Sequence, residues 1–495
     1  MKALTSEVLL SLILGYFLML ILVSIFTAKN ANNQDFFNAG RNSPWYLVAI
    51  GMIGASLSGV TFISIPGVVG NGGLNQAFSY MQIVFGYVLG YAVIALVLLP
   101  LYYRMNLTSI YTYLENRFGW HAYKIGAVYF QLSRTTGSAL RLFLVANILH
   151  QFVFASFDIS FAFSVFLTIF LIWVYTFKGG IKTIVVTDTI QTFFMLGAVF
   201  FTIIIISQEL NLGVLDMFRA MNHGGYTKLF YFEGGWGDPN NFFKQFLSGA
   251  LITLTMTGLD QDMMQKNLTC RTLKDAQKNM FTFSIILIFA NFLFLTMGAV
   301  LYLYASELGI TLPDKSDEVY PFLALNHLSP VIGILFILGL IAAAYSSADS
   351  ALAAMTTSFC IDFLNFEKWQ TTEERKKKIR LFVHIGYSVL MFLMILIFKT
   401  ISKDGIINEL FRWAGFTYGP LLGLFAFGIL TQFKVRSQWI IPICISSPLI
   451  SWFLDTYSKE LFQGFTFGFL ILAINGLITF LGLLLASERI YKVVD

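Results

Sequence analysis

Apolar runs of about twenty residues recur from one end of the chain to the other, separated by short polar stretches. A helix needs roughly 20 apolar residues to cross a bilayer's hydrocarbon. On that measure the pattern predicts thirteen spans, at residues 6–28, 45–71, 76–104, 122–153, 158–177, 181–208, 241–265, 276–304, 329–361, 379–399, 408–431, 437–455 and 462–486. The runs lack strand alternation and are too long for barrel strands. The predicted fold class is therefore all-α, a polytopic membrane protein with about 13 transmembrane helices. The longest polar stretches, 209–240, 305–328 and 362–378, are too short to be separate domains, so residues 1–495 read as one membrane domain.

Composition sharpens this picture. Hydrophobic residues make up 57% and charged residues 12%, with mean hydropathy +0.73. A soluble domain carries about 25% charged residues, so most of this chain faces lipid or a membrane core. The first apolar run is longer than a signal-peptide core and has only Lys2 before it, which predicts an uncleaved helix. With the N-terminus outside, most of the 32 basic residues fall in inside segments. Lys29, Arg41, Arg104, Arg117, Lys178, Lys182, Lys266, Arg271, Lys274, the run Arg375–Lys378, Lys434, Arg489 and Lys492 are among them. The positive-inside rule thus predicts an outside N-terminus and a cytoplasmic C-terminus, in a plasma membrane such as the bacterial inner membrane. The net charge of +5 reflects this asymmetry and does not point to nucleic acid. The three cysteines, Cys270, Cys360 and Cys444, are too scattered for a disulfide framework. No Walker-type phosphate loop, zinc motif or nucleophile–base pair is visible, which argues against an ATP-driven pump or an enzyme.

Polar chemistry enters the spans at five places. The ninth span carries Ala343-Ala344-Tyr345-Ser346-Ser347-Ala348-Asp349-Ser350. An ionised carboxylate at that depth costs at least ~2.5 kcal/mol and needs a partner or a role. Sodium, a hard cation preferring oxygen ligands, suits the hydroxyls and carboxylate together. The second span contains Gly51, Gly54, Ser56, Ser58, Gly59, Thr61 and Pro66, which weaken a helix in mid-membrane. Such breaks free carbonyls for ion binding, and close helix packing by small residues explains the glycines as well. Asp188 lies one to two turns inside the sixth span, where it either reaches back to the interface or pairs with the serine cluster. Arg134 and Arg141 are two turns apart on one face of the fourth span. One of them can hold a substrate carboxylate, or both can be structural. The eleventh span has Trp413-Ala414-Gly415-Phe416-Thr417-Tyr418-Gly419-Pro420, a kink whose aromatics gate a cavity or simply pack.

Taken in order, these segments resemble the sodium:solute symporter family. The resemblance runs from about residue 33 to about 430. It is carried by Ser56–Pro66, Leu107-Thr108-Ser109 with Tyr113-Leu114-Glu115, Gly179-Gly180 with Thr187-Asp188 and Gln191, Gln261-Asp262 with Gln265-Lys266, and Ala343–Ser350. The family implies a leucine-transporter-like core of two inverted five-helix repeats, here 45–208 and 241–431, with 6–28 and 437–486 peripheral. It further implies a core sodium site from the carbonyls of Gly54, Leu57 and Ala343 and the hydroxyls of Ser346 and Ser347. The sialic-acid transporters of the family are similar in spans two, three and nine. By that likeness Asp188, Ser346, Asp349 and Ser350 would form a second sodium or proton site, although Asp349 stands where those relatives have serine. Ser58, Thr61, Phe78 and Gln82 match residues that meet substrate there. The relatives' carboxylate-binding arginine aligns with Gly137, between Arg134 and Arg141, which join the candidate substrate set.

The expectation is therefore a sodium-coupled secondary active symporter importing a small polar organic solute, such as a carboxylate or sugar acid. Sodium is the coupling ion, and no cofactor or nucleic-acid partner is expected. The sequence leaves the oligomeric state open, a monomer being compatible with it. The driving force is adequate: a charge falling through 100 mV yields ~2.3 kcal/mol and a tenfold gradient about 1.4 kcal/mol. The alternatives are a proton-coupled carrier using Asp188 or Asp349, a sodium symporter for neutral sugars or amino acids, and a channel or sensor on the same body.

Overall fold

The computed structural model describes residues 5–27, 29, 33–70, 72–177, 180–366, 368–401 and 406–488. Lys2, Lys178, Gly179, Arg489 and Lys492, used in the sequence reading, lie outside the described residues. The principal helices are α1 (Ser6–Thr27), α2 (Trp45–Ser56), α3 (Gly59–Val68), α4 (Tyr80–Arg104), α5 (Trp120–Phe157), α6 (Phe161–Thr176), α7 (Ile181–Glu209), α8 (Phe242–Thr253), α9 (Gln261–Asn267), α10 (Leu273–Glu307), α11 (Pro330–Phe363), α12 (Glu373–Ile401), α13 (Ile406–Leu430), α14 (Ser437–Thr456) and α15 (Gly468–Leu485). The one sheet among the described residues is a two-residue antiparallel contact, Lys434–Val435 against Ser487–Glu488.

The all-α membrane architecture agrees with the apolar pattern, while the count of thirteen is not reached by length and apolarity. Ten helices among the described residues can cross a membrane, or up to eleven when the bent pair α2–α3 is one span. The other two expected spans take different forms. Residues 158–177 become the 16-residue α6. Residues 241–265 become α8, a widened turn at Leu254–Gly258, and α9. The second break has a local cause. Asp260 takes extended backbone (φ −109°, ψ 122°), and its carboxylate caps α9 by accepting from the amides of Asp262 and Met263 at 2.9 and 3.3 Å. A side chain that offers the backbone an alternative acceptor favours a new helix start over helix continuation.

α11 is buried along most of its length. It packs against α7 and α5, and α8 lies along α4. The connecting segments fall into two sets that the long helices keep apart. In one, Arg41 reaches Asn106 and the Leu107 carbonyl (2.7 Å), Ser43 donates to Thr269 O (3.0 Å), and Arg117 donates to Thr431 O (2.8 Å). In the other, Asn240 binds the backbone at Gly73 and Asn75, and Lys244 reaches Thr466 O at 2.6 Å.

Candidate functional site

The break between α2 and α3 bends the span by 59°. Leu57 and Ser58 leave helical geometry (ψ 82° and 177°), and the Ser58 amide, which an unbroken helix would give to Gly54 O, goes to Ser56 O at 3.2 Å. The ladder restarts with Phe62 N–H donating to Ser58 O. The carbonyls of Gly54 and Leu57 therefore lie in the gap between two ladders, where hard oxygen donors are free to turn toward a cation.

α7 and α11 close on this gap. Thr189 and Thr192 donate to the α2 carbonyls of Leu47 (3.3 Å) and Ile50 (3.0 Å). At Gly54 the approach is so close that a Cβ would sit 2.5 Å from Thr192 Oγ1 and 2.9 Å from Ser346 Oγ. That explains glycine here: a side chain would push the serine helix away. Ser346, Ser347, Asp349 and Ser350 are all buried, as are Ala343 and Leu57. Ser346 Oγ donates to Asp188 Oδ1 at 2.7 Å, so the sixth-span aspartate does meet the serine cluster.

Asp188 also has a partner that the sequence reading did not assign. Lys266 Nζ lies 2.6 Å from Asp188 Oδ2, with both side chains essentially inaccessible. The signal was present: a lysine just after a broken span must find an anion when buried. Asp349 behaves differently from expectation. Its Oδ2 accepts from the Tyr175 hydroxyl of α6 at 2.8 Å, and its Oδ1 has no hydrogen-bond partner among the described residues. Neither an arginine nor Ser350's hydroxyl engages it; Ser350 Oγ donates instead to Ser346 O at 2.9 Å.

The two arginines separate cleanly. Arg134 forms an ion pair with Asp262 and lies 3.8 Å from Asp260, which accepts a hydrogen bond from Tyr418. Of the two readings for these arginines, a structural pairing holds for Arg134. The acids come from the break before α9, which brings residues 260 and 262 back to the middle of α5. Arg141, 8% exposed, makes no hydrogen bond or ion pair among the described residues. Both arginines line a cavity of about 80 Å³ at the α2–α3 break, with Ser58, Thr61, Tyr80 and Asn291. Gly137 sits between them in a smaller adjoining space.

Phe78 and Gln82 are not brought to that cavity. Gln82 spends its amide on Asn240 O (2.9 Å) and its carbonyl on the Tyr231 amide (3.1 Å), while Phe78 packs on Phe292. Both are held under the 209–241 segment. The glutamines of the Gln261–Lys266 segment are structural ties: Gln261 binds Thr108 O (2.8 Å) and the Ile110 amide (3.0 Å), and Gln265 binds Phe37 O and Thr357. Outside the spans, burial pushes the Cys270 thiol up to about 12.

A membrane bundle with two interrupted helices meeting at a buried set of oxygen donors belongs to the class of secondary transporters. The model of the sodium:solute symporter family matches residues 36–433, and the chain belongs to that family. It is 25% identical over 464 residues to a sodium/sialic acid symporter of Aliivibrio fischeri, covering 92% of this chain and 89% of that protein. It is 24% identical over 447 residues to a sodium/sialic acid symporter of Proteus mirabilis, covering 88% and 87%. A solved structure of a sodium-coupled sialic acid symporter in a substrate-bound, outward-open state superposes with TM-score 0.82 at 21% identity, over 97% of this chain and 99% of that one. The protein is a sodium-coupled symporter of a small solute, with sodium as the coupling ion.

Proposed function

We propose that this symporter imports a carboxylate-bearing solute, a sugar acid being the class its relatives suggest. The observation that carries this reading is Arg141: a buried guanidinium without an acidic contact, facing the cavity beside the helix break. The acid whose charge Arg141 feels is Asp260, but Asp260 is already held by Tyr418 and two helix amides. A solute carboxylate complements the unpaired fork by paired hydrogen bonds. Arg134, neutralised by Asp262, lines the same wall, and Ser58 and Thr61 offer hydroxyls to the rest of the solute.

Sodium is assigned to the oxygens of Gly54, Leu57, Ala343, Ser346 and Ser347. The interrupted ladder and the close contact of Gly54 with Ser346 support that set. Of the second constellation, Asp188, Ser346, Asp349 and Ser350, the first is engaged by Lys266, so an ion there competes with an ammonium. The breaks at 57–58 and 259–260 open the two halves, 45–208 and 241–431, which supports an inverted repeat. The separation of the two loop sets supports an outside N-terminus in a bacterial inner membrane, because the first set holds Arg41, Arg117 and Arg271.

The test is uptake into proteoliposomes under a sodium gradient, with sialic acid, gluconate, glucose and alanine as competitors. Carboxylates should block uptake, and Arg141→Gln should weaken them by at least about tenfold relative to neutral competitors. Equal loss for charged and neutral competitors would make Arg141 structural. Ser346→Ala and Ser347→Ala should raise the sodium half-saturation, and an unchanged value in both would remove the sodium assignment.

A further inference from the structure

Ser350 has one hydroxyl hydrogen and two acceptors within range. The hydrogen goes to Ser346 O at 2.9 Å, one turn back on α11. Asp262 Oδ2 stands at 3.5 Å, at the limit of a hydrogen bond. That same oxygen holds Arg134, while Asp262 Oδ1 has no hydrogen-bond partner among the described residues although the residue is fully buried. A continuous chain of contacts therefore runs from Lys266 and Asp188 through Ser346 and Ser350 to Asp262, and on to the arginine that lines the solute cavity.

We propose that Ser350, Asp262 and Arg134 are positioning residues that couple sodium binding to solute binding by exchange of the Ser350 hydroxyl hydrogen. In the sodium-free arrangement the hydrogen is donated to Ser346 O, and Asp262 is given wholly to Arg134. When sodium draws the Ser346 turn toward the helix break, Ser350 turns its hydrogen to Asp262. The carboxylate is then shared, its hold on Arg134 loosens, and the guanidinium is released to the solute. No bond is made or broken apart from these hydrogen bonds. The proposal rests on the sodium site at Ser346 and is independent of which solute is carried.

Because the exchange is thermodynamically reciprocal, changes on the solute side must alter sodium affinity, and in opposite directions. Asp262→Asn removes the charged acceptor that stabilises the sodium-bound arrangement, so sodium should bind at least about threefold more weakly. Arg134→Gln removes the competitor for Asp262, so sodium should bind at least about threefold more tightly. Ser350→Ala removes the exchanging hydroxyl, and in that background Arg134→Gln should leave sodium affinity unchanged. The measurement is equilibrium binding of radioactive sodium to the purified full-length protein, with no solute present. Arg134→Lys keeps the charge and should restore near-wild-type affinity if Arg134→Gln proves unstable. Wild-type sodium affinity in both Asp262→Asn and Arg134→Gln overturns the proposal, as does weaker binding in both alike with no change of sign; if Arg134→Gln does not fold, wild-type affinity in Asp262→Asn alone overturns it. Undiminished binding in Ser346→Ala overturns the sodium site itself, a distinct result.

Discussion

Replacing Lys266 by methionine keeps the length of the side chain and removes its charge. Asp188 would then be left as a fully buried carboxylate with only the Ser346 hydroxyl as a side-chain partner. Removing one member of a buried ion pair costs about 3–5 kcal/mol, because the other charge stays uncompensated. The lost ammonium stood 2.6 Å from Asp188 Oδ2, and Ser346, a proposed sodium ligand, donates to the other carboxylate oxygen. Sodium bound there is close enough to take over part of the neutralisation. At ten times its dissociation constant, a ligand specific to the folded state contributes about 1.4 kcal/mol. The variant should thus unfold at markedly lower temperature in choline chloride and recover about a third of the loss in sodium chloride. Its sodium-dependent stabilisation should exceed that of the wild type. The assay is thermal unfolding of the detergent-purified full-length protein in the two salts at equal ionic strength. Adding Asp188→Asn removes the orphaned charge and should shrink both the loss and the sodium effect. A Lys266→Met protein equally destabilised in both salts would refute the reasoning, since sodium would then have no access to the Asp188 charge.

Two further outcomes follow from local geometry. Gly54→Ala places a methyl 2.5 Å from Thr192 Oγ1 and 2.9 Å from Ser346 Oγ, so it should cost about 1–3 kcal/mol and raise the sodium half-saturation for uptake; an unaffected sodium dependence would mean the helices part without disturbing the site. Cys270, buried with its thiol pushed up to about 12, is only about one part in 10⁴ thiolate at pH 8, so maleimide labelling of the native protein should leave it unmodified until the protein unfolds.

The membrane class and the helix break were legible because both are local. Apolar run length predicts a span, and Gly51, Gly54, Gly59 and Pro66 within one span predict an interruption. The meeting of Asp188 with Ser346 was legible on energetic grounds, since a buried carboxylate beside a hydroxyl cluster is the cheaper arrangement. What stayed hidden were pairings set by tertiary path. Lys266 is 78 residues from Asp188, and Tyr175 is 174 residues from Asp349. Nothing in spacing or periodicity selects those partners. Asp260 and Asp262 fell inside the predicted 241–265 span, and nothing in its pattern showed that a break before α9 would turn them to Arg134. Phe78 and Gln82 show the converse. Their match to substrate-binding positions was real as sequence, but the 209–241 segment covers them here and occupies the Gln82 amide.

The charges around the break bear on the order in which sodium and solute bind. Four buried carboxyl groups, those of Asp188, Asp260, Asp262 and Asp349, face three buried cationic side chains, Lys266, Arg134 and Arg141. Lys266 neutralises Asp188 in contact, and Arg134 does so for Asp262. Arg141 feels Asp260 without touching it, and among the described residues Asp349 has the Tyr175 hydroxyl and no cation in contact. With each group ionised, the core is one positive charge short. An uncompensated charge in a water-poor interior is costly, so a cation entering beside Ser346 and Asp188 is drawn by the whole cluster as well as by its immediate ligands. A carboxylate arriving at Arg141 first would double the deficit. Arriving after sodium, it meets a neutral core and a guanidinium with no ion-pair partner. Sodium-first order follows from these seven side chains when Asp349 is ionised; with Asp349 protonated, three carboxylates balance three cations and this charge argument sets no order.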